Sequence, residues 1–330
     1  MRRLFIKSFV LLFPFLVFTG YFFIADPMKI IHNTESPVSP GVLMNDRLFL
    51  ARHIEKTDVK YNAFIFGSSR SKAFKTWHWK KSIGKNVIPF HMGVNDESLY
   101  GIERKLHFLD SLGFKIDYAV IPLDHRLLSL TKNSEAHIFR EYHTLTEETS
   151  TSFYQRFFIA FLNPHFLKSY WTYRQTGDVG NDGNFLWDPG FTYHHKTGDI
   201  DYTRMENAIK KDSILFYKTN RKDFYERTPQ ESEQLIGKDS KVIWEKIHKI
   251  LKKHHTEVKI IITPNYDQIA INADDLEYLK TMFPNKISNY SGKNGITDEI
   301  GNYYEHKHFK PFIANGILTL SYVSFRKGSE

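Results

Sequence analysis

Four short apolar runs, separated by stretches of helical periodicity, restrict this chain more than any other feature. They are Ala63 to Phe66, Val87 to Phe90, Tyr118 to Pro122 and Val258 to Thr263. Each is rich in β-branched or aromatic residues and ends in a turn or polar segment, the pattern of parallel strands covered on both faces. Between them lie helical patterns over Glu97 to Leu112 and Ser240 to His254, the latter with Ile243, Ile247, Ile250 and Leu251 at helical spacing. Alternating strands and helices predict an α/β fold with a parallel sheet and right-handed crossovers. With 330 residues, 41% of them hydrophobic, the chain has enough apolar surface for a sizeable core.

Residues 1 to 25 carry Arg2, Arg3 and Lys7 ahead of an uncharged run from Ser8 to Ala25. Its 18 residues, at about 1.5 Å each, roughly cross a hydrocarbon core of about 30 Å. The basic end predicts a cytoplasmic N-terminus and an outer location for everything beyond Asp26. A cleaved signal peptide is the competing reading. The run exceeds the usual h-region and no clear small-residue cleavage site closes it, so a retained single-pass anchor is expected. Residues 26–60, with Pro27, Pro37, Pro40 and Gly41, read as a linker ending in a short helix around Asn45 to Glu55. The sheet domain then covers 61–330, with an insertion at about 130–230 that breaks the rhythm. The insertion holds an aromatic patch around Phe153 to Phe166, then a run rich in Gly, Asp and Asn. It is expected to cap one end of the sheet, where open α/β folds bind ligands, or to pack only its own aromatics. The Gly/Asp/Asn run lacks the spacing of a helix–loop–helix calcium site, and turn formation is its expected role.

The chain has no cysteine, which removes disulfides, thiolate metal sites and Cys nucleophiles. Chemistry must therefore rest on Ser, His or carboxylates, or on a cofactor. Of the net charge of +8, three positive charges belong to Arg2, Arg3 and Lys7. The modest remainder reads first as solvated lysines, with a surface for anionic lipid or an acidic polysaccharide as the alternative, and it does not favour nucleic acid. Two motifs can carry chemistry. Gly67-Ser68-Ser69-Arg70-Ser71 follows the first strand and places a serine in a turn opening toward a helix, where backbone N–H groups can face an oxyanion. Serines there also serve as N-caps. Far along the chain, Glu305-His306-Lys307-His308 precedes a further helical run. A carboxylate and an imidazole three residues apart can meet each other and face one crevice. His306 and His308 are otherwise a surface pair or two ligands of a metal such as zinc, for which no third ligand stands at a telling spacing.

Taken together, these blocks resemble the SGNH (GDSL-type) hydrolase superfamily, and within it membrane-anchored members associated with cell-envelope polysaccharide O-acetylation or teichoic-acid D-alanylation. The resemblance implies a three-layer α/β/α, flavodoxin-like domain. It makes Ser69 the nucleophile, His308 the base and Glu305 its orienting acid, with the N–H groups of Ser69 and Gly93 as oxyanion donors. Gly93 lies in His91-Met92-Gly93-Val94-Asn95, after the second strand. Two positions depart from the family pattern. Glu305 stands where most members have Asp, and Asp124 stands where an oxyanion-donating Asn is usual, with Arg70 or Arg126 as replacement donors. The implied function is a membrane-tethered serine acyl esterase or O-acyltransferase acting on a cell-envelope glycan or an acylated small molecule, without cofactor or metal. The alternative is a catalytically impaired binding partner of a glycan or an integral-membrane acyltransferase.

Overall fold

The computed structural model describes residues 2–32, 36–38, 40–84, 86–179, 185–188 and 190–326. The chain divides into two compact units, one formed by 1–52 and 134–190, the other by 53–133 and 191–330.

The second unit is built on five parallel strands, β1 (Ala63–Ile65), β2 (Pro89–His91), β3 (Tyr118–Leu123), β4 (Glu257–Ile262) and β5 (Ile287–Asn289), in the order 2-1-3-4-5. The α/β class and the parallel sheet follow the sequence reading, and all four expected runs are strands. β5 was not foreseen. It is an edge strand whose residues are half-buried or exposed, so it has no apolar run to mark it.

Successive residues on a strand point to opposite faces, so each strand feeds two layers. Ile65, Val120 and Ile261 pack with Trp79 of the helix Thr76–Ile83 and Ile317 and Leu318 of the helix Pro311–Arg326. The alternate residues Phe64, Ala119, Ile121 and Ile260 are equally buried. The helices Leu99–Ser111 and Lys238–Lys253 pack against each other, each with an apolar stripe turned inward. Ser98 caps the first of these by accepting from Gly101 N–H at 2.9 Å, which sets its start two residues beyond the predicted one.

Beneath the loop that follows β2, the fully buried ammonium of Lys105 is held by the buried carboxylate of Glu97 and reaches Met92 O at 3.3 Å. Removing one partner of such a pair strands the other charge. Lys105→Met is therefore expected to cost about 3–5 kcal/mol, read as a lower urea midpoint, and the double replacement Lys105→Met with Glu97→Leu should recover most of that loss.

The first unit joins the N-terminal helix Arg2–Ala25 to the helices Ser150–Phe161 and Pro164–Thr176 and takes in the start of the helix Asp46–Lys56. Its stretch Lys7–Ala25 is long and apolar enough to cross a membrane. The helix stops at Asp26, whose carboxylate accepts from the backbone N–H groups of Ile30, Ile31 and His32 at 2.8, 2.9 and 2.8 Å. Residues 26–52, read as the start of a linker, belong to this unit and bury Met28, Ile30, Val38, Val42 and Leu48. Arg47 pairs with Glu141 at 2.7 Å, both fully buried. The expected insertion at 130–230 is divided: 134–190 belongs to this unit and 191–230 to the sheet unit. Residues 180–184 of the Gly/Asp/Asn run, and the side chains of Arg2 and Arg3, lie outside the described residues.

Candidate functional site

The two motifs identified in the sequence meet at the carboxyl end of β1. Gly67 leaves the strand with φ +121°, and a Cβ on it would lie 2.9 Å from Pro122 O of β3, so only glycine lets the backbone turn this closely. The chain then enters a short helical turn, Ser69–Ala73, capped by Ser68 Oγ, which accepts from Arg70 N–H at 3.4 Å. Ser69, half-buried, sits at the first position of that turn, where N–H groups have no intrahelical partner.

The opposing half is a small hairpin. Tyr303–Glu305 pairs antiparallel with His308–Phe309, and Glu305 lies directly opposite His308. Cross-strand partners hold their side chains side by side. Tyr303 donates to Pro264 O at 2.9 Å and Phe309 packs edge-on to Phe74 at 5.9 Å, which fixes the hairpin against both the end of β4 and the serine turn.

His308 Nε2 lies 2.8 Å from Ser69 Oγ, and His308 Nδ1 is hydrogen-bonded to Glu305 Oε1. The other carboxylate oxygen accepts from Lys307 N–H at 2.7 Å. Burial pushes His308 below the usual imidazole value, an effect that Glu305 opposes and that Arg70 and Lys72 reinforce. Burial would raise the Glu305 carboxyl, but its hydrogen bonds to His308 and Lys307 N–H and the nearby His308 and His306 rings together hold it below the usual range. A neutral imidazole beside an ionised carboxylate is the state in which Nε2 can accept a hydroxyl proton.

Tyr202 closes one wall of the site, with its ring 5.4 Å from His308 and 5.0 Å from Tyr304, and with Phe191 at 4.4 Å on its other side. The segment before it is anchored by Lys75, which donates to Ile200 O at 2.6 Å and pairs with Asp201 at 2.7 Å. Nothing in the sequence singled out Tyr202. It lies in the irregular stretch, and only packing brings it to the imidazole.

Asp124 is a scaffold group. Its carboxylate accepts from Ser68 Oγ at 2.5 Å, pairs with Arg70 at 3.1 Å and caps the helix His125–Ser129 through Leu127 N–H at 3.0 Å. Burial works to raise it, yet Arg70 and these hydrogen bonds hold it below the usual carboxylate range. An ionised carboxylate so committed ties β3 to the serine turn and donates nothing. Arg70 carries the charge that neutralises it, and its Nε has no hydrogen-bond partner.

Gly93, expected as an oxyanion donor, gives its N–H to His91 Nδ1 at 3.1 Å, while His91 Nε2 bonds Ser71 O at 2.9 Å. Complete burial lowers His91 to about 3, so the ring stays neutral and acts as a spacer between β2 and the serine turn. A Cβ on Gly93 would fall 2.1 Å from Ser71 Oγ. Close packing therefore explains this glycine, and its N–H is engaged. Two residues on, Asn95 Oδ1 accepts from the buried Lys72 Nζ at 2.6 Å. Neither residue was singled out beforehand, although an amide two positions after a glycine at a strand end was a readable signal.

His306 faces away from the serine. Its Nδ1 is 3.1 Å from Asp223 O and its ring 5.6 Å from Tyr225. Among the described residues no group of three His, Cys, Asp or Glu side chains converges as metal ligands would. Tyr225 also lines an open cavity of about 540 Å³ with Tyr217, Phe224, Tyr266, Arg227 and Lys293. Arg227 stacks over Tyr266 at 4.2 Å. No family model matches the chain, and neither does any curated protein.

Proposed function

We propose that the chain is a membrane-tethered SGNH-type serine acyl esterase or O-acyltransferase of the cell envelope. The reading rests on one observation, the continuous Ser69–His308–Glu305 relay in a turn at the carboxyl end of a parallel strand. Ser69 Oγ attacks an ester carbonyl as His308 Nε2 takes its proton. Glu305 holds the ring in the tautomer with Nδ1–H and stabilises the imidazolium. Collapse of the tetrahedral adduct expels the alcohol, which recovers the proton from His308 and leaves Ser69 acylated. Water or a sugar hydroxyl then takes the acyl group by the reverse sequence. Ser69 N–H supplies one oxyanion donor, whereas Gly93 N–H, expected as the second, is engaged by His91. The aromatic and basic cavity beside His306 suits a sugar ring stacked on tyrosine.

In this reading Lys7–Ala25 is a retained anchor and the basic N-terminus is cytoplasmic, so the sheet unit lies outside the membrane, at the periplasmic or cell-surface side, within reach of an envelope glycan. The full chain in detergent should react with a fluorophosphonate probe, and brief exposure to p-nitrophenyl acetate should leave one acetyl group on the peptide that contains Ser69. A folded protein that neither labels nor acetylates would exclude the enzyme. That result would favour the second reading, a non-catalytic partner of a glycan or a membrane acyltransferase, for which the engaged Gly93 N–H is the supporting observation.

A further inference from the structure

The helix Ser150–Phe161 and the residue after it close on six consecutive apolar residues, Phe157 to Leu162. A helix on a water-exposed surface keeps its apolar residues to one stripe, and an all-round apolar end needs a second apolar neighbour. Phe157 and Phe161 are buried within the unit. Phe158 faces the N-terminal helix, with its ring 5.8 Å from Phe15 and 5.2 Å from Phe22. Phe161 lies 5.4 Å from Phe22, and Tyr21 lies 5.3 Å from Trp171 of the following helix. Ile159 is 62% exposed and Trp171 44% exposed.

These contacts fix a depth, given the reading of the N-terminal helix as a membrane span, on which this inference rests. The span of 19 residues from Lys7 to Ala25 covers about 28 Å, against a hydrocarbon thickness of about 30 Å, so it has no length to spare. Phe158 touches residues on either side of position 18, and that level lies about 10 Å inside the Ala25 end. Sliding the helix outward to lift Phe158 into water would draw Lys7 and the arginines behind it into hydrocarbon, at about 2.5–3.5 kcal/mol for each that reaches the centre. Sliding it inward only buries Phe158 further.

We infer that the apolar end of Ser150–Phe161, with Ile159 outermost, is immersed in the outer leaflet and that acyl chains cover its exposed face. The first unit is then seated in the membrane surface, with Trp171 placed where interfacial aromatics collect and the exposed His165 and Lys168 available to headgroups.

The absence of cysteine makes the test clean, because Ile159→Cys, Val17→Cys and Ile214→Cys each create a single labelling site. Each full-length variant is labelled with bimane and reconstituted in phosphatidylcholine–phosphatidylglycerol vesicles whose acyl chains carry bromine. Fluorescence should be lost at positions 17 and 159 and kept at 214, which lies in the sheet unit. Quenching at 17 without quenching at 159 overturns the inference and leaves the anchor standing. No quenching at either position overturns both. A label at 159 that neither brominated lipid nor aqueous iodide reaches would mean that protein covers this face, a second copy in such vesicles, and would also overturn it.

Discussion

Ser69→Ala is expected to lower kcat for p-nitrophenyl acetate by a factor on the order of 10⁶, with KM nearly unchanged, because the residues of such a relay act as a unit. The hydroxyl is a poor nucleophile until His308 Nε2, 2.8 Å away, removes its proton. His308→Ala should therefore cost about as much, and the double variant no more than either single one. Multiplying losses would mean that the two residues act in separate steps. Turnover in Ser69→Ala equal to that of the parent chain would remove this serine from the chemistry altogether. Steady-state kinetics on the three variants decides the matter, and retained urea midpoints would show that folding is not the cause.

Glu305→Gln is expected to reduce kcat by about 10⁴ through the tautomer rather than through position. The carboxylate accepts from Nδ1–H and so leaves Nε2 as the acceptor for Ser69. A carboxamide can donate to Nδ1 instead and place the proton on the wrong nitrogen. The pH profile gives a second, independent readout. His308 lies below the usual 6.5, so its base form dominates at neutral pH and kcat/KM should be flat there, falling only as acid protonates the ring. Glu305 raises the imidazole against the effect of burial. Its replacement therefore moves the acid limb to lower pH even as the plateau drops. A limb that moves upward or stays in place would contradict the assigned role of Glu305.

Much of the sheet was legible because a strand covered on both faces writes its burial into consecutive residues. Phe64 to Phe66 and Ile260 to Ile262 are apolar whichever face they serve. β5 escaped because one side of an edge strand is solvent, and Ile-Ser-Asn carries no such mark. Glu305 and His308 were readable as a pair because only two residues separate them. The hairpin that sets them opposite each other was not, since a two-residue bend has many sequences. Asp124, where the resembled family has an oxyanion-donating Asn, was readable as a group unable to donate and so as a structural one. Its task, holding Ser68 and Arg70 while capping a helix, is set by neighbours from another strand. Gly93 was found by its position, yet what requires glycine there is Ser71 Oγ packed against it.

By itself the sequence determined the alternation of strands and helices, the apolar N-terminal helix and the residue types available for catalysis, because each depends on periodicity or composition within a few turns of chain. Only the tertiary structure brought Ser69 to His308 across 239 positions, set Tyr202 against the imidazole, committed Gly93 N–H to His91 and leaned Phe158 on the N-terminal helix. Those contacts arise where separate elements pack together, and no local window of sequence contains both partners.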